Sequence, residues 1–378
     1  MNDLIYFDNA ATTFPKPPVV WNTALYTARN RCGNPGRGGH ALARAADSEV
    51  YRCRKALKEY FNAASVQNVV FTQNATTALN TCILGLIRPG DRVITTDYEH
   101  NSVRRPLHSL NNVKVIKACV DFDNDDATVS EFGRLIGEGA DWLVVSHASN
   151  VWGKTIPLRD ICRIARSRGT RVIVDAAQTA GYLKIDVSDY CIDYLCAPGH
   201  KGMYGPQGTG FIILNGKTPK PLFTGGTGSN SLSAEQPDYP PDALESGTLN
   251  VPAISGLCQG VGFLTFVGTD KLHKREMSLV RKAYAGLKRI KEVTLYTSEP
   301  TNSDAPVLSF NIGAKTSFEA AELYDRHGIC LRAGYHCAPD AHEKFGTMAY
   351  GTVRLSVGAF NTASEIDKFL EITQKISK

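Results

Sequence analysis

An acid at the end of an apolar strand, followed 26 residues later by a lysine in a glycine-rich turn, constrains this chain more than any other feature. The run Val172-Ile-Val-Asp-Ala-Ala-Gln178 reads as a central parallel strand with Asp175 and Gln178 at its carboxyl end. Open α/β sheets place their ligands at that end. The stretch Pro198-Gly-His-Lys-Gly-Met-Tyr-Gly-Pro-Gln-Gly-Thr-Gly210 then sets Lys201 beside His200 in a tight turn. Pyridoxal 5'-phosphate (PLP) requires this combination. The amine forms a Schiff base, and the acid pairs with the pyridinium nitrogen so that the ring can accept electrons. Taken singly, a strand-end Asp is more often a helix cap, and a lysine beside a glycine turn more often a surface charge. Together, with His200 and Gln178 alongside, they point to a cofactor site.

At 378 residues the chain exceeds one comfortable core, so two domains are expected. Strand-like stretches at 67–72, 91–96, 113–118, 142–146, 171–174 and 208–214 are interspersed with helical ones at 75–87 and 158–168. This alternation predicts an α/β fold with a mostly parallel central sheet covered by helices. The segment 219–241, rich in Gly, Pro, Ser and Asp, reads as a long ordered loop. One helical pattern runs from Val251 to about Ile290. The last third, with strands near 307–312 and 352–357 and a helix from Ala363, reads as a smaller α+β C-terminal domain. The expected division is an N-terminal segment 1–14 joining the small domain, a large cofactor-binding domain 15–255, and a small domain 256–378.

Composition narrows the function classes. With 43% hydrophobic and 21% charged residues the chain is an ordinary globular protein, and a net charge of +5 spread without blocks does not imply nucleic acid. No apolar run is long enough to span a bilayer, and the N-terminus lacks the basic-then-apolar pattern of a signal peptide. A cytoplasmic protein with no membrane partner is expected. The ten cysteines form no CxxC pair or zinc-like grouping, so most should be free, buried thiols, Cys82 and Cys330 among them. Cys337 differs, because Arg332-Ala-Gly-Tyr-His-Cys-Ala-Pro339 is polar and turn-rich.

Several motifs agree in order and spacing from Tyr6-Phe-Asp-Asn-Ala-Ala-Thr12 to Phe360-Asn-Thr362. Through them the chain resembles the class V aminotransferase-fold PLP enzymes, most closely the short-loop branch of the cysteine desulfurase and selenocysteine lyase family. The resemblance implies PLP fold type I. In Phe71-Thr-Gln-Asn-Ala-Thr-Thr-Ala-Leu-Asn80 the free N–H groups at a helix start would bind an anion, and the likeness favours Ala75 and Thr76 as phosphate ligands. Pro198 stands where the family often has a helpful side chain, which shifts phosphate binding toward His200 and a dimer-related residue. The likeness lays His100, in Glu99-His-Asn-Ser102, against the pyridine face. It gives the ring nitrogen to Asp175 and the phenolic oxygen to Gln178 and Asn150. Lys201 is the Schiff-base lysine. Arg354, in Gly351-Thr-Val-Arg354, would clamp the substrate carboxylate through two hydrogen bonds. Arg37, in the loop Gly33–His40, resembles active-site lining, and Asn150 could also touch substrate.

Cys337 decides the reaction. In the resembling enzymes a cysteine thiolate attacks the substrate sulfur, leaving a persulfide on the protein and alanine as product. His336 and Arg332 are the adjacent residues that could lower its pKa. Tyr335 replaces the family's other histidine, which alters the charge around the thiol. Thr248, in Glu245-Ser-Gly-Thr-Leu-Asn250, matches a threonine that reaches the partner subunit's phosphate, so a homodimer is expected. The leading expectation is therefore a PLP-dependent cysteine desulfurase acting on L-cysteine and passing persulfide sulfur to an acceptor protein. Selenocysteine lyase is the near alternative. A transaminase or epimerase on the same fold is another, and a PLP-binding regulator without turnover is the outsider.

Overall fold

A computed structural model describes residues 4–36 and 38–378. The chain opens with strand β1 (Ile5–Tyr6) and helices α1 (Pro18–Asn30) and α2 (Ala41–Phe61). Pro18 at the first position of α1 suits a helix start, where a missing N–H costs nothing. In α2 the buried Ala46, Val50, Cys53, Leu57 and Phe61 recur at helical spacing. The sequence reading assigned neither helix.

The middle of the chain winds through β2 (Val69–Thr72), α3 (Ala75–Leu86), β3 (Arg92–Thr96), α4 (Asn101–Ser109), β4 (Lys114–Ala118), α5 (Asp125–Gly137), β5 (Trp142–Ser146), α6 (Leu158–Ser167), β6 (Arg171–Asp175), β7 (Tyr194–Pro198) and β8 (Gly210–Leu214). The expected elements here match to within two residues at each end, while α4, α5 and β7 were not foreseen. These strands form one seven-stranded sheet in the order β2-β8-β7-β6-β5-β3-β4. Only β8 runs against its neighbours. Helices cover both faces, so β5, β7 and β8 are buried at every position and read as continuous apolar runs rather than alternating ones.

After the long loop, α7 (Val251–Val267) and α8 (Thr269–Leu287) meet at an 84° bend. The single helix expected over 251–290 is therefore two. Gly268, at φ +87, adopts a conformation that side chains resist, and it turns the chain there. α7 adds Leu257, Val261 and Leu264 to the core around the large sheet, whereas α8 adds Met277, Val280 and Leu287 to a second core. The remaining elements are β9 (Val293–Leu295), β10 (Val307–Ile312), α9 (Ser317–Asp325), β11 (Ile329–Cys330), β12 (Arg332–Gly334), α10 (Pro339–Lys344), β13 (Thr352–Ser356) and α11 (Ala363–Ile376). Four of these strands form an antiparallel sheet, β12-β13-β10-β9, and β11 pairs in parallel with β1 from the chain's start. All ten cysteines are free, but only Cys53, Cys82, Cys162 and Cys196 are buried. Cys330 is half-buried, because β11 is a two-residue strand at a sheet margin rather than a core element.

The turn after β6 and the turn after β7 cross at van der Waals contact. A methyl group on Gly202 would lie 2.4 Å from the Ala180 carbonyl oxygen, and one on Gly181 would lie 2.1 Å from that of Gly202. Both glycines are needed for this approach, which seats the residue before Gly202 at the sheet's carboxyl edge. Gly202→Ala should therefore lower stability by about 1–3 kcal/mol, seen as a drop in the urea unfolding midpoint. An unchanged midpoint would show that the crossing can relax.

Candidate active site

The carboxyl ends of β5, β6 and β7 are in register, with Ser146 beside Asp175 and Asp175 beside Cys196. Chain leaving these strands must turn at the same edge of the sheet. A cleft of about 90 Å³ opens there, lined by Ala75, Thr76, His100, Asn150, Asp175, Gln178, His200 and Lys201. Eight residues singled out from the sequence thus converge on one site.

Asp175 ends β6 and is buried. Desolvation raises its pKa, while the Ala177 N–H at 2.8 Å and the Lys201 charge act in the opposite direction and favour the carboxylate. Burial also lowers the pKa of Lys201, from 10.5 to about 8. That net value includes Asp175, which raises the pKa, and the Arg354 and Arg332 guanidiniums, which add to the lowering. At the mouth of α3, Asn74 caps the Thr77 N–H at 2.8 Å. That leaves the N–H groups of Ala75 and Thr76 at the free, positive end of the helix.

His100 caps α4, its Nδ1 accepting from the Ser102 N–H at 3.0 Å. The ring proton therefore sits on Nε2. Burial, followed by Lys201 and Arg354, pushes the pKa down to about 4, so the ring is neutral. The Ser102 hydroxyl links His100 Nδ1 at 3.0 Å to the Thr76 hydroxyl at 2.8 Å. His200 is also held neutral, near 4, by burial and by Lys201, and its Nδ1 has no hydrogen-bond partner. Its carbonyl accepts from the Thr12 and Thr13 hydroxyls and from the buried Lys16 amine at 3.0 Å. Gln178 donates to the Ala10 carbonyl at 3.2 Å, leaving its Oε1 buried and unpartnered.

Arg354, on β13, is buried at the cleft's rim. It donates to the Asn150 carbonyl at 2.9 Å and pairs with Asp8 at 3.0 Å, while its Nε has no partner. Asp8 also draws in Arg332 at 3.6 Å. Asn150 Nδ2 donates to the His336 carbonyl at 2.7 Å, and the Cys337 carbonyl accepts from the Asn101 N–H at 2.7 Å. The exposed Cys337 is thus fastened to the cleft by the elements that carry Asn150 and His100. His336 and Cys337 both take positive φ, 50 and 57, which turns the chain sharply at the thiol.

Of the two residues expected to support a thiolate, His336 is turned inward and uncharged, while Arg332 lies near Asp8. His336 is buried, its Nε2 faces the Thr352 carbonyl at 3.1 Å, and burial holds its pKa well below the ordinary range. Thr248 stands apart from the cleft. It is exposed in a neighbouring cavity of about 810 Å³ that shares Asn74 and His200 with it. Arg37 lies outside the described residues. The sequence reading passed over Asp8, Lys16, Asn74 and Ser102. Asp8 lay within the quoted Tyr6–Thr12 motif, but its partner is 346 residues away. Asn74, a cap residue between a strand and an apolar helix, could have been found.

The Lys201 amine is neutral, and so nucleophilic, only above its pKa. Trapping it with a small aldehyde and borohydride, followed by peptide mass spectrometry, should show labelling that rises as the pH passes about 8. Exposed lysines should label near their ordinary 10.4. A Lys201 profile matching theirs would contradict the burial argument.

The model of the aminotransferase class-V family matches residues 5–369. A probable cysteine desulfurase of Pyrococcus abyssi is 31% identical, the alignment covering 100% of this chain and 95% of the relative. The cysteine desulfurase of Pectobacterium carotovorum is 29% identical over 99% of this chain and 93% of its own. Among solved structures, the apo cysteine desulfurase of Thermococcus onnurineus superposes with a TM-score of 0.93 at 31% identity, covering 100% of this chain and 95% of that one. The cysteine desulfurase CsdA of Escherichia coli superposes with a TM-score of 0.87 at 25% identity, covering 99% and 94%. A family match over nearly the whole chain leaves a plain conclusion: the chain belongs to the class V aminotransferase family of PLP-dependent enzymes.

Proposed function

We propose that this chain is a PLP-dependent cysteine desulfurase, which converts L-cysteine to L-alanine and keeps the sulfur as a persulfide on Cys337. One observation carries the reading. A cleft holding Lys201, Asp175 and a neutral His100 is hydrogen-bonded, through Asn101 and Asn150, to the turn that exposes Cys337. The donor set suits PLP. The free end of α3 fits a phosphate, Asp175 fits a pyridinium nitrogen, and buried unpartnered atoms of Gln178, His200 and Arg354 remain to be satisfied. PLP, when bound, supplies the electron sink that makes the substrate Cα acidic.

The chain's residues do the rest. Ala75, Thr76 and His200 would hold the phosphate end, and the His100 ring would serve the aromatic part of the cofactor. Asn150 and Gln178 position the polar edge. The Lys201 amine would hold the cofactor and, when free, is the group placed to move the substrate Cα proton. Arg354 is oriented by Asp8 and the Asn150 carbonyl, and its remaining N–H groups face the substrate carboxylate. The Cys337 thiolate then attacks the substrate sulfur. An S–S bond forms as the C–S bond breaks, and the carbon keeps the electron pair and takes up a proton to give alanine.

A homodimer completes the site in this reading, with Thr248 reaching the phosphate of the partner subunit. Val19, Trp21, Leu25 and Tyr26 on α1 and Leu42 and Tyr51 on α2 are exposed large apolar side chains, which supports a covered face there. A cytoplasmic setting fits ten free thiols. Among the described residues no single helix is long and apolar enough to cross a membrane.

Cys337→Ser should leave the PLP absorbance intact while alanine and sulfide from L-cysteine fall by on the order of a hundredfold or more. Matched losses of both products would establish the thiol as nucleophile. Retained sulfide release would end the assignment.

A further inference from the structure

β4 ends the seven-stranded sheet, paired only with β3, so one row of its backbone groups is open. Lys114, Val115 and Lys117 are exposed along it. The neighbouring helix α4 turns Arg104, Arg105 and His108 outward. Between helix and strand lies a cavity of about 430 Å³, with Leu107, Leu110, Val113 and Val115 as its apolar part and Arg104 and Lys117 on its lining. This face is continuous with the Cys337 turn. The Asn101 N–H that opens α4 donates to the Cys337 carbonyl at 2.7 Å. Asp340, three residues beyond the thiol, accepts from Arg104 at 3.2 Å and Lys117 at 2.7 Å.

Lysines on an edge strand ordinarily only guard it against pairing. Here Lys117 and Arg104 line a cavity of mixed polarity, opposed there by Glu99 and Asp340, while Arg105 and Lys114 stand exposed beside it with no ion pair among the described residues. Resting on the reading of Cys337 as a persulfide carrier, we propose that the α4–β4 face docks an acidic segment of a thiol-bearing acceptor protein. An apolar side chain of that segment fills the cavity, and its cysteine is led to Cys337. The transfer balances without an oxidant. The acceptor thiolate attacks the terminal persulfide sulfur, the S–S bond to Cys337 breaks, and Cys337 leaves as thiolate while the acceptor becomes the persulfide.

The test uses the PLP-loaded full chain, L-cysteine and three synthetic peptides, each with one cysteine in an acidic, uncharged or basic sequence. Persulfidated peptide is followed by mass spectrometry, and sulfide released to dithiothreitol is measured in parallel. The acidic peptide should accept sulfur about tenfold faster than the uncharged one at low salt, and this advantage should fade as salt rises. In an Arg105→Glu, Lys114→Glu double variant the acidic peptide should fall to the uncharged rate, while dithiothreitol-driven release stays unchanged. Equal rates for the three peptides, or a variant that keeps the acidic preference, would overturn the docking face and leave the desulfurase reading standing. No dithiothreitol-driven sulfide from the wild-type protein would remove the persulfide reading itself, and the docking face with it.

Discussion

Two cations, Lys201 in the cleft and Arg354 against the Asn150 carbonyl beside it, are buried near the carboxyl edge of the sheet, and such an arrangement needs compensating charge. An isolated buried ammonium or guanidinium would shed its proton or pull the structure open. Asp175 supplies the balance for Lys201 from the end of β6, and Asp8 supplies it for Arg354 from just beyond β1. The balance is incomplete at Lys201, so its amine is held near 8 and is ready to lose its proton. It is tighter at Arg354, which keeps its charge while Asp8 and the Asn150 carbonyl fix the guanidinium plane. Burial, aided by the Lys201 charge, keeps His100 and His200 neutral. The reactive character of the site thus follows from where two carboxylates were delivered.

Much of this was readable in one dimension because it is local. Asp175 ends an apolar run, and an apolar run ends where the sheet does. Glycines around Lys201 announce a turn, and a polar cap before an apolar stretch announces the start of α3. What escaped reading depends on contacts distant in sequence. β7 has five buried residues and ends in Pro198, so alone it carries neither alternation nor a helical stripe. The break at Gly268 splits what is otherwise a continuous helical pattern, and only the positions of the two cores say which way each half must face.

The Cys337 turn shows the same division. Its composition marked it as unusual, and the structure exposes the thiol on a backbone bent through two left-handed residues. Adjacency in sequence misled on the neighbouring charges, because His336 points inward to Thr352 and Arg332 reaches across to Asp8. Two successive left-handed residues turn the His336 ring inward while the thiol stays exposed, so adjacency in sequence does not carry over to adjacency in space.

The pairing of the chain's start with its end has a temporal side. β1 lies against β11, and Asp8 meets Arg354, so the first strand made waits for nearly the last. At about 5–20 residues per second, a ribosome leaves Asp8 without its arginine for roughly 20–70 s. For more than half of that interval Lys201 itself has not been made, and the buried Asp8–Arg354 pair cannot form until nearly the whole chain has been. The wall that Asp8 and Arg354 build together is therefore among the last parts of the fold to close, after β13 has been made and meets the first strand's neighbour.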